Sequence, residues 1–174
     1  MRGLAFLALG FCVACEFGEG DAKVPGEALG TFDVVAQLDD SNCGQGAMGS
    51  TDVWQFQIKL SRDFDQLFWL NGREVIAGSL ASDGKSFEFD SWVQVDVLEP
   101  RPGELGCTLT RQDRASGQLG LDGETVDSFD GNLTFAYMPS QDSDCTPLIG
   151  IEAGFVALPC EMSYQLEARV LPEK

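Results

Sequence analysis

Histidine is absent from this chain of 174 residues, and basic residues are few, with 11 Lys and Arg against 28 Asp and Glu. Without histidine there is no Ser-His-Asp triad and no usual proton shuttle near neutral pH, and most kinds of zinc site are excluded. The net charge of −17 repels nucleic acid and anionic lipid, because binding either depends on Lys and Arg that neutralise phosphate. No carboxylates form a recognisable acid–base pair. We therefore predict a protein that is not an enzyme, needs no cofactor and binds no nucleic acid.

Long apolar runs are also missing, since the longest covers only residues 4–13. A membrane-spanning helix needs about 20 apolar residues. The run follows Met1-Arg2-Gly3 and precedes small residues, which is typical of an export signal. Val13-Ala14-Cys15 resembles the end of the lipobox of bacterial lipoproteins, whose cysteine is diacylated after cleavage. The resemblance implies a signal peptide over 1–14, a lipid on Cys15 and a cell-envelope location, in the outer membrane.

The number of cysteines agrees with that interpretation. Cys12 would leave with the signal and Cys15 would carry lipid, so that four cysteines remain and none are spaced as C-x-x-C. An even set in an exported domain predicts two disulfides, since the bacterial envelope outside the cytoplasm is oxidising. The four are Cys43, Cys107, Cys145 and Cys160.

The stretch over 15–30 contains acids, glycines and a proline but has no hydrophobic period. We interpret it as the lipidated cysteine and a flexible tether, which would span roughly 20 Å. The folded domain would then occupy 31–174.

From Thr31 onward, apolar and polar residues alternate with a period of two, and no stretch has a helical period. In the fifth segment, for example, Phe87, Phe89, Val93, Val95 and Val97 share one face. This pattern is typical of antiparallel strands with one solvated face. We predict an all-β fold of eight strands, over 31–38, 53–61, 66–70, 73–81, 86–98, 107–121, 127–138 and 159–171.

Three short turns fix the order of the strands: Asn71-Gly72, Asp83-Gly84 and Asp122-Gly123, all strong hairpin signals. In a meander the long connections over 39–52, 99–106 and 139–158 then lie at one end. Eight is an even number, so the last strand is antiparallel to the first and can pair with it. The pattern predicts a closed barrel, with a β-sandwich as the alternative.

Closure also bears on the disulfides. Sequence alone allows three pairings of four cysteines. Cys43 follows the first strand and Cys160 opens the last, so a Cys43–Cys160 bond would join the two strands that close the barrel. Cys107 opens the sixth strand and Cys145 follows the seventh, which favours Cys107–Cys145.

The eight-stranded layout resembles the calycin group, which includes the lipocalins and avidin-like barrels. Gly30-Thr31-Phe32 is similar to the Gly-x-Trp opening of lipocalins, with Phe in place of Trp. Leu158-Pro159-Cys160 before the last strand resembles small bacterial lipoproteins to which no activity is assigned. The lipocalin-like resemblance implies a barrel that holds a small ligand.

We therefore expect a lipid-anchored protein that binds a small apolar ligand or a protein partner at its long-loop end. Trp54, Tyr137 and Phe155 are the candidate ligand-binding residues near the rim. One alternative is a structural or interaction lipoprotein with a filled core and no ligand. Another is calcium binding by the oxygen-rich loops, although neither loop has EF-hand spacing. The candidate calcium ligands are Asp39, Asp40, Asp142 and Asp144.

Overall fold

The computed structural model describes residues 24–44, 47, 51–72, 74–150 and 154–172. The predicted signal segment, Cys15 and residues 15–23 of the predicted tether lie outside this part of the chain. Within it, no helix is long and apolar enough to cross a membrane.

The eight predicted strands are confirmed, and most of their bounds agree with the sequence pattern to within two residues. A short 3-10 helix, Thr146–Leu148, is the one further element among the described residues. The strands are β1 Glu27–Ser41, β2 Val53–Asp63, β3 Gln66–Asn71, β4 Glu74–Leu80, β5 Ser86–Leu98, β6 Cys107–Asp122, β7 Thr125–Pro139 and β8 Cys160–Val170.

The strands pair antiparallel in chain order, and β8 pairs with β1 to close a barrel. The closing ladder runs from Phe32 opposite Val170 to Ser41 opposite Met162. This confirms the predicted closed barrel and excludes the β-sandwich. We call the end with the short β2–β3, β4–β5 and β6–β7 connections the turn end, and the opposite one the loop end.

The largest boundary difference is at the start of β1, because residues 27–30, which we assigned to the tether, are already paired strand. Glu27 lies opposite Arg62, and Ala28 opposite Ser61. The register shifts between Ala28 and Gly30. That irregularity interrupts the alternation and hides these residues from a pattern of period two. The chain thus joins the barrel at the turn end.

Both predicted disulfides are present, and both lie at the loop end. Cys43 just after β1 is bonded to Cys160 at the start of β8, and the two Cα atoms are 5.0 Å apart. Cys107 at the start of β6 is bonded to Cys145 beyond β7, with Cα atoms 4.8 Å apart. The first bond therefore fastens the strands that close the barrel.

Aromatic side chains fill the half of the barrel nearer the turn end. The Phe129 ring lies at its centre, with its centroid 5.6 Å from that of Phe32, 5.7 Å from that of Phe87 and 6.0 Å from that of Trp69. This half is a packed core, as small eight-stranded barrels allow. Its fully buried members are Phe32, Phe129, Ile58, Leu67, Leu166 and Val34.

The barrel wall is incomplete between β4 and β5. These strands pair over three positions only, from Leu80 opposite Phe87 to Gly78 opposite Phe89. Towards the loop end, residues 74–77 pair only with β3, and residues 90–98 only with β6, among the described residues. The two strands approach closely at Gly78, where a Cβ would collide with the Glu88 carbonyl oxygen and the Phe89 ring. We call the gap beyond this point the β4–β5 cleft.

Candidate ligand-binding site

A cavity of about 290 Å³ occupies the half of the barrel nearer the loop end. Strands β2 to β7 all contribute side chains to its wall. Ile76 on β4 and Ser91 on β5 both line it, so the cavity extends to both sides of the β4–β5 cleft. Its volume is close to the lower limit, about 300 Å³, of pockets that hold small ligands.

Five of the thirteen residues that line the cavity are aromatic. The Trp54 ring stacks on Phe56 with a centroid separation of 4.5 Å, and Phe56 lies 6.3 Å from the nearly parallel ring of Trp69. Phe89 packs edge-on against Trp69 at 5.5 Å. Phe135 completes the set. Such a wall suits a flat or apolar molecule, because aromatic rings give large apolar contact areas and favourable stacking.

Two charged side chains of β6 also line this cavity. The Arg111 Nε and Nη2 atoms donate to the two carboxylate oxygens of Asp113, each over 2.6 Å. The guanidinium carbon lies 5.4 Å from the centroid of the Phe135 ring, within cation–π range. Burial disfavours the charge of Arg111, but its hydrogen bonds to Asp113 and the charge of that carboxylate raise the pKa of the guanidinium. We call this pair the polar site of the wall, whose other polar residues are Asn71, Glu74 and Ser91.

Of the three candidate binding residues, Trp54 lines the cavity, whereas Tyr137 and Phe155 are not among its lining residues. The Tyr137 and Phe155 rings pack edge-to-face at 5.5 Å, and their exposed fractions are only 7% and 9%. Burial raises the pKa of the Tyr137 hydroxyl, although the charge of Arg111 opposes this change. Tyr137 thus contacts Arg111 of the polar site, and Phe155 packs against the ring of Tyr137.

The three long connections contribute no residue to the described lining of this cavity. The connections are instead tied to one another. The Asp144 N–H donates to the Gly106 carbonyl over 2.9 Å, and the Val156 N–H donates to the Cys43 carbonyl over 2.7 Å. With the two disulfides, these bonds fix the described parts of the loops at the end of the barrel.

The four aspartates considered as calcium ligands lie in two parts of the fold. Asp39 and Asp40 are at the end of β1, and Asp142 and Asp144 are in the connection after β7. Asp40 accepts a hydrogen bond from the Ser41 N–H, and Asp39 accepts one from the Gln165 side chain. Asp142 is a turn residue with a positive φ of 64°. Hydrogen bonds from Thr146 lower the pKa of Asp144. Among the described residues, no three His, Cys, Asp or Glu side chains are grouped so as to hold a metal ion.

Arg111 and Asp113 are not among the binding residues predicted from the sequence. The alternation along β6 nevertheless places both on the apolar face of that strand. Both residues share the parity of Leu109 and Ala115, which are 2% and 6% exposed. Two oppositely charged residues at positions i and i+2 of a strand lie on the same face. A charged pair on the apolar parity of a strand is therefore a marker for a polar site inside a barrel.

Comparison of the chain with known protein families, curated proteins and solved structures finds no match.

Proposed function

We propose that this protein is an exported, lipid-anchored binding protein of the bacterial cell envelope that holds a small, mainly apolar ligand inside its barrel. The observation that supports this most directly is the cavity of about 290 Å³, with its five aromatic lining residues and one internal ion pair. Apolar pockets with a few convergent polar groups are typical ligand sites. The polar site formed by Arg111 and Asp113 would orient the ligand, and we assign the protein no catalysis.

Three features support export and anchoring. The first is the short apolar run over 4–13, followed by the lipobox-like Val13-Ala14-Cys15. The second is the pair of disulfides, which suit a non-reducing compartment. The third is the position of Val24, nine residues after Cys15, near the turn end, where β1 joins the barrel. A lipid on Cys15 would be attached on that side, leaving the cavity directed away from the membrane.

A structural or interaction lipoprotein without a ligand is the second candidate. The half of the barrel nearer the turn end favours it, because Phe32 and Phe129 are fully buried there. This candidate requires that the remaining cavity stay empty.

Titration with N-phenyl-1-naphthylamine, a compact neutral fluorophore, separates the two candidates. We expect saturable binding at one site, because the probe is flat and apolar and can stack on the aromatic side chains of the cavity wall. Ala115→Leu adds volume inside the cavity and should weaken binding at least tenfold. Ser116→Leu adds the same volume on the exposed face of the same strand and should leave binding unchanged. No saturable binding by the wild type, or equal effects of both variants, would favour the ligand-free candidate.

The anchor is tested on the full chain produced in a bacterial host. The wild type should partition into detergent and carry a diacylglycerol mass on Cys15, and Cys15→Ser should move to the aqueous phase. A water-soluble wild type with an unmodified amino terminus would contradict lipidation while leaving ligand binding untouched.

A further inference from the structure

We propose that the β4–β5 cleft binds an extended, basic segment of a partner protein, which adds as a strand to the free edge of β5 and places one Lys or Arg side chain in the cavity. This inference rests on the proposed function, since it uses the same cavity. It gives the cavity a second occupant, a side chain of a polypeptide, which competes with the small ligand.

The first argument is the free edge of β5. Residues 90–98 pair with β6 on one side only, among the described residues. A long unpaired edge is a template for another strand, and proteins usually protect such edges with Lys, Pro or very short strands. Residues 90–98 contain no Lys and no Pro; their charged residues are Asp90 and Asp96, and the register with β6 shifts only near the end, between Asp96 and Leu98. Their exposed apolar side chains include Trp92, which is 57% exposed, and Val95, which is 41% exposed.

The second argument is that this edge lies beside the cavity. Phe89 and Ser91 of β5 line the cavity, and the free edge continues from them towards the loop end. An added strand forms main-chain hydrogen bonds along the edge, and alternate side chains point to the same face. A side chain of that strand on the inner face is then directed into the barrel. The β5 edge would form the main-chain hydrogen bonds with the added strand. The cavity would select which side chain that strand carries on its inner face.

The third argument is charge. Arg111 and Asp113 balance each other through their bidentate bond, so Glu74 is the charged residue of the described cavity lining that is left unbalanced. Asp90 and Asp96 lie on β5 itself, and the whole chain carries −17. A cationic side chain between aromatic rings gains cation–π attraction as well. A second copy of this chain has the same strong negative charge and would be repelled.

Isothermal titration calorimetry tests this with the purified protein and three acetylated decapeptides. In the first peptide Lys alternates with Thr, in the second Glu replaces Lys, and in the third alternate backbone nitrogens of the Lys peptide are methylated. We expect the Lys peptide to bind and both other peptides to bind at least tenfold more weakly. Equal binding of the methylated peptide would overturn strand addition, and equal binding of the Glu peptide would overturn the basic preference.

Matched variants locate the site. Val95→Lys places a cation on the β5 edge and should weaken binding of the Lys peptide at least tenfold. Val156→Lys makes the same change at a residue that is 62% exposed outside β5, and should change affinity less than twofold. Val97→Lys is the second edge variant if Val95→Lys fails to fold. Equal losses at the edge and at Val156 would overturn the assignment to β5.

Competition distinguishes this inference from the proposed function. The Lys peptide should displace N-phenyl-1-naphthylamine, because its side chain occupies the same cavity. Binding of the fluorophore without binding of the peptide, or peptide binding without displacement, would overturn the inference and leave the proposed function intact. Failure of both probes to bind would reject both.

Discussion

Arg111 and Asp113 form a bidentate ion pair inside the barrel, with Nε to Oδ1 and Nη2 to Oδ2 distances of 2.6 Å. The side chains are 30% and 16% exposed, so both charges are largely withdrawn from water. A buried ion pair is weak evidence for stability, because desolvation offsets most of the Coulombic gain. Its place in the wall of the cavity is the basis of the recognition role that we propose for it.

The first prediction concerns this pair. Asp113→Ala leaves the Arg111 charge in the cavity wall without its carboxylate, and we expect it to lower the free energy of unfolding by about 2 kcal/mol, less than for a fully buried pair. The double variant Arg111→Met/Asp113→Leu removes both charges and should be within about 1 kcal/mol of the wild type. Urea denaturation at pH 7 measures both. A double variant less stable than Asp113→Ala would show that the ion pair itself stabilises the barrel.

The second prediction concerns the two disulfides. The Cys43–Cys160 bond spans 117 residues and the Cys107–Cys145 bond spans 38. In the chain-entropy model the longer loop restricts the unfolded chain more, giving about 5 kcal/mol against about 4 kcal/mol. Denaturation of Cys43→Ala/Cys160→Ala and Cys107→Ala/Cys145→Ala compares them under identical conditions. The reverse order would mean that local packing at the loop end outweighs chain entropy.

Most of the fold could be predicted from the sequence, because its determinants are local. Alternation of apolar residues identifies each strand, and short turns such as Asn71-Gly72 fix the order of neighbours. An even number of strands permits closure, which then brings Cys43 near Cys160. These steps need only the period of a strand and the reach of a disulfide.

The β4–β5 cleft and the cavity could not be predicted in the same way, because they depend on how far neighbouring strands pair along their lengths. Val95 and Val97 share the inward parity of Phe89, yet they are 41% and 40% exposed, because β4 does not pair beside them. The sequence predicts Tyr137 and Phe155 near a ligand rim, but it does not show that their rings pack edge-to-face against each other. Alternation gives the face of a side chain but not the strand or loop that covers it.

The third prediction tests the close contact between β6 and β7. Gly117 lies directly opposite Gly131, and a Cβ on Gly117 would collide with the Asp130 carbonyl oxygen and lie 2.8 Å from Cζ of Phe87. Gly117→Ala should therefore cost about 1–3 kcal/mol, because backbone or a core ring must shift. Ser116→Ala, on the exposed face of the same strand, should change stability by less than about 0.5 kcal/mol. Thermal or urea unfolding checks both, and equal stabilities would mean that the two strands separate readily.

The fourth prediction concerns pH and the turn between β4 and β5. The Ser86 hydroxyl donates to the Asp83 carboxylate over 2.6 Å, and the Lys85 and Ser86 N–H groups donate over 2.8 Å. These bonds lower the pKa of Asp83 from 3.8 to about 2. Because the folded pKa lies below the unfolded one, the carboxylate stabilises the fold above about pH 4, and this contribution is lost as the pH falls to about 2.

Thermal unfolding of the wild type and Asp83→Asn from pH 7 to pH 2 measures that contribution. We expect the wild type to have the higher Tm at neutral pH, and the Tm difference to shrink between about pH 4 and pH 2, where Asp83 becomes protonated. Ser86→Ala removes the largest cause of the lowered pKa, so its Tm should depend less on pH over the same window. A Tm difference between the wild type and Asp83→Asn that stays constant down to pH 2 would contradict the ionic role of Asp83 in this turn.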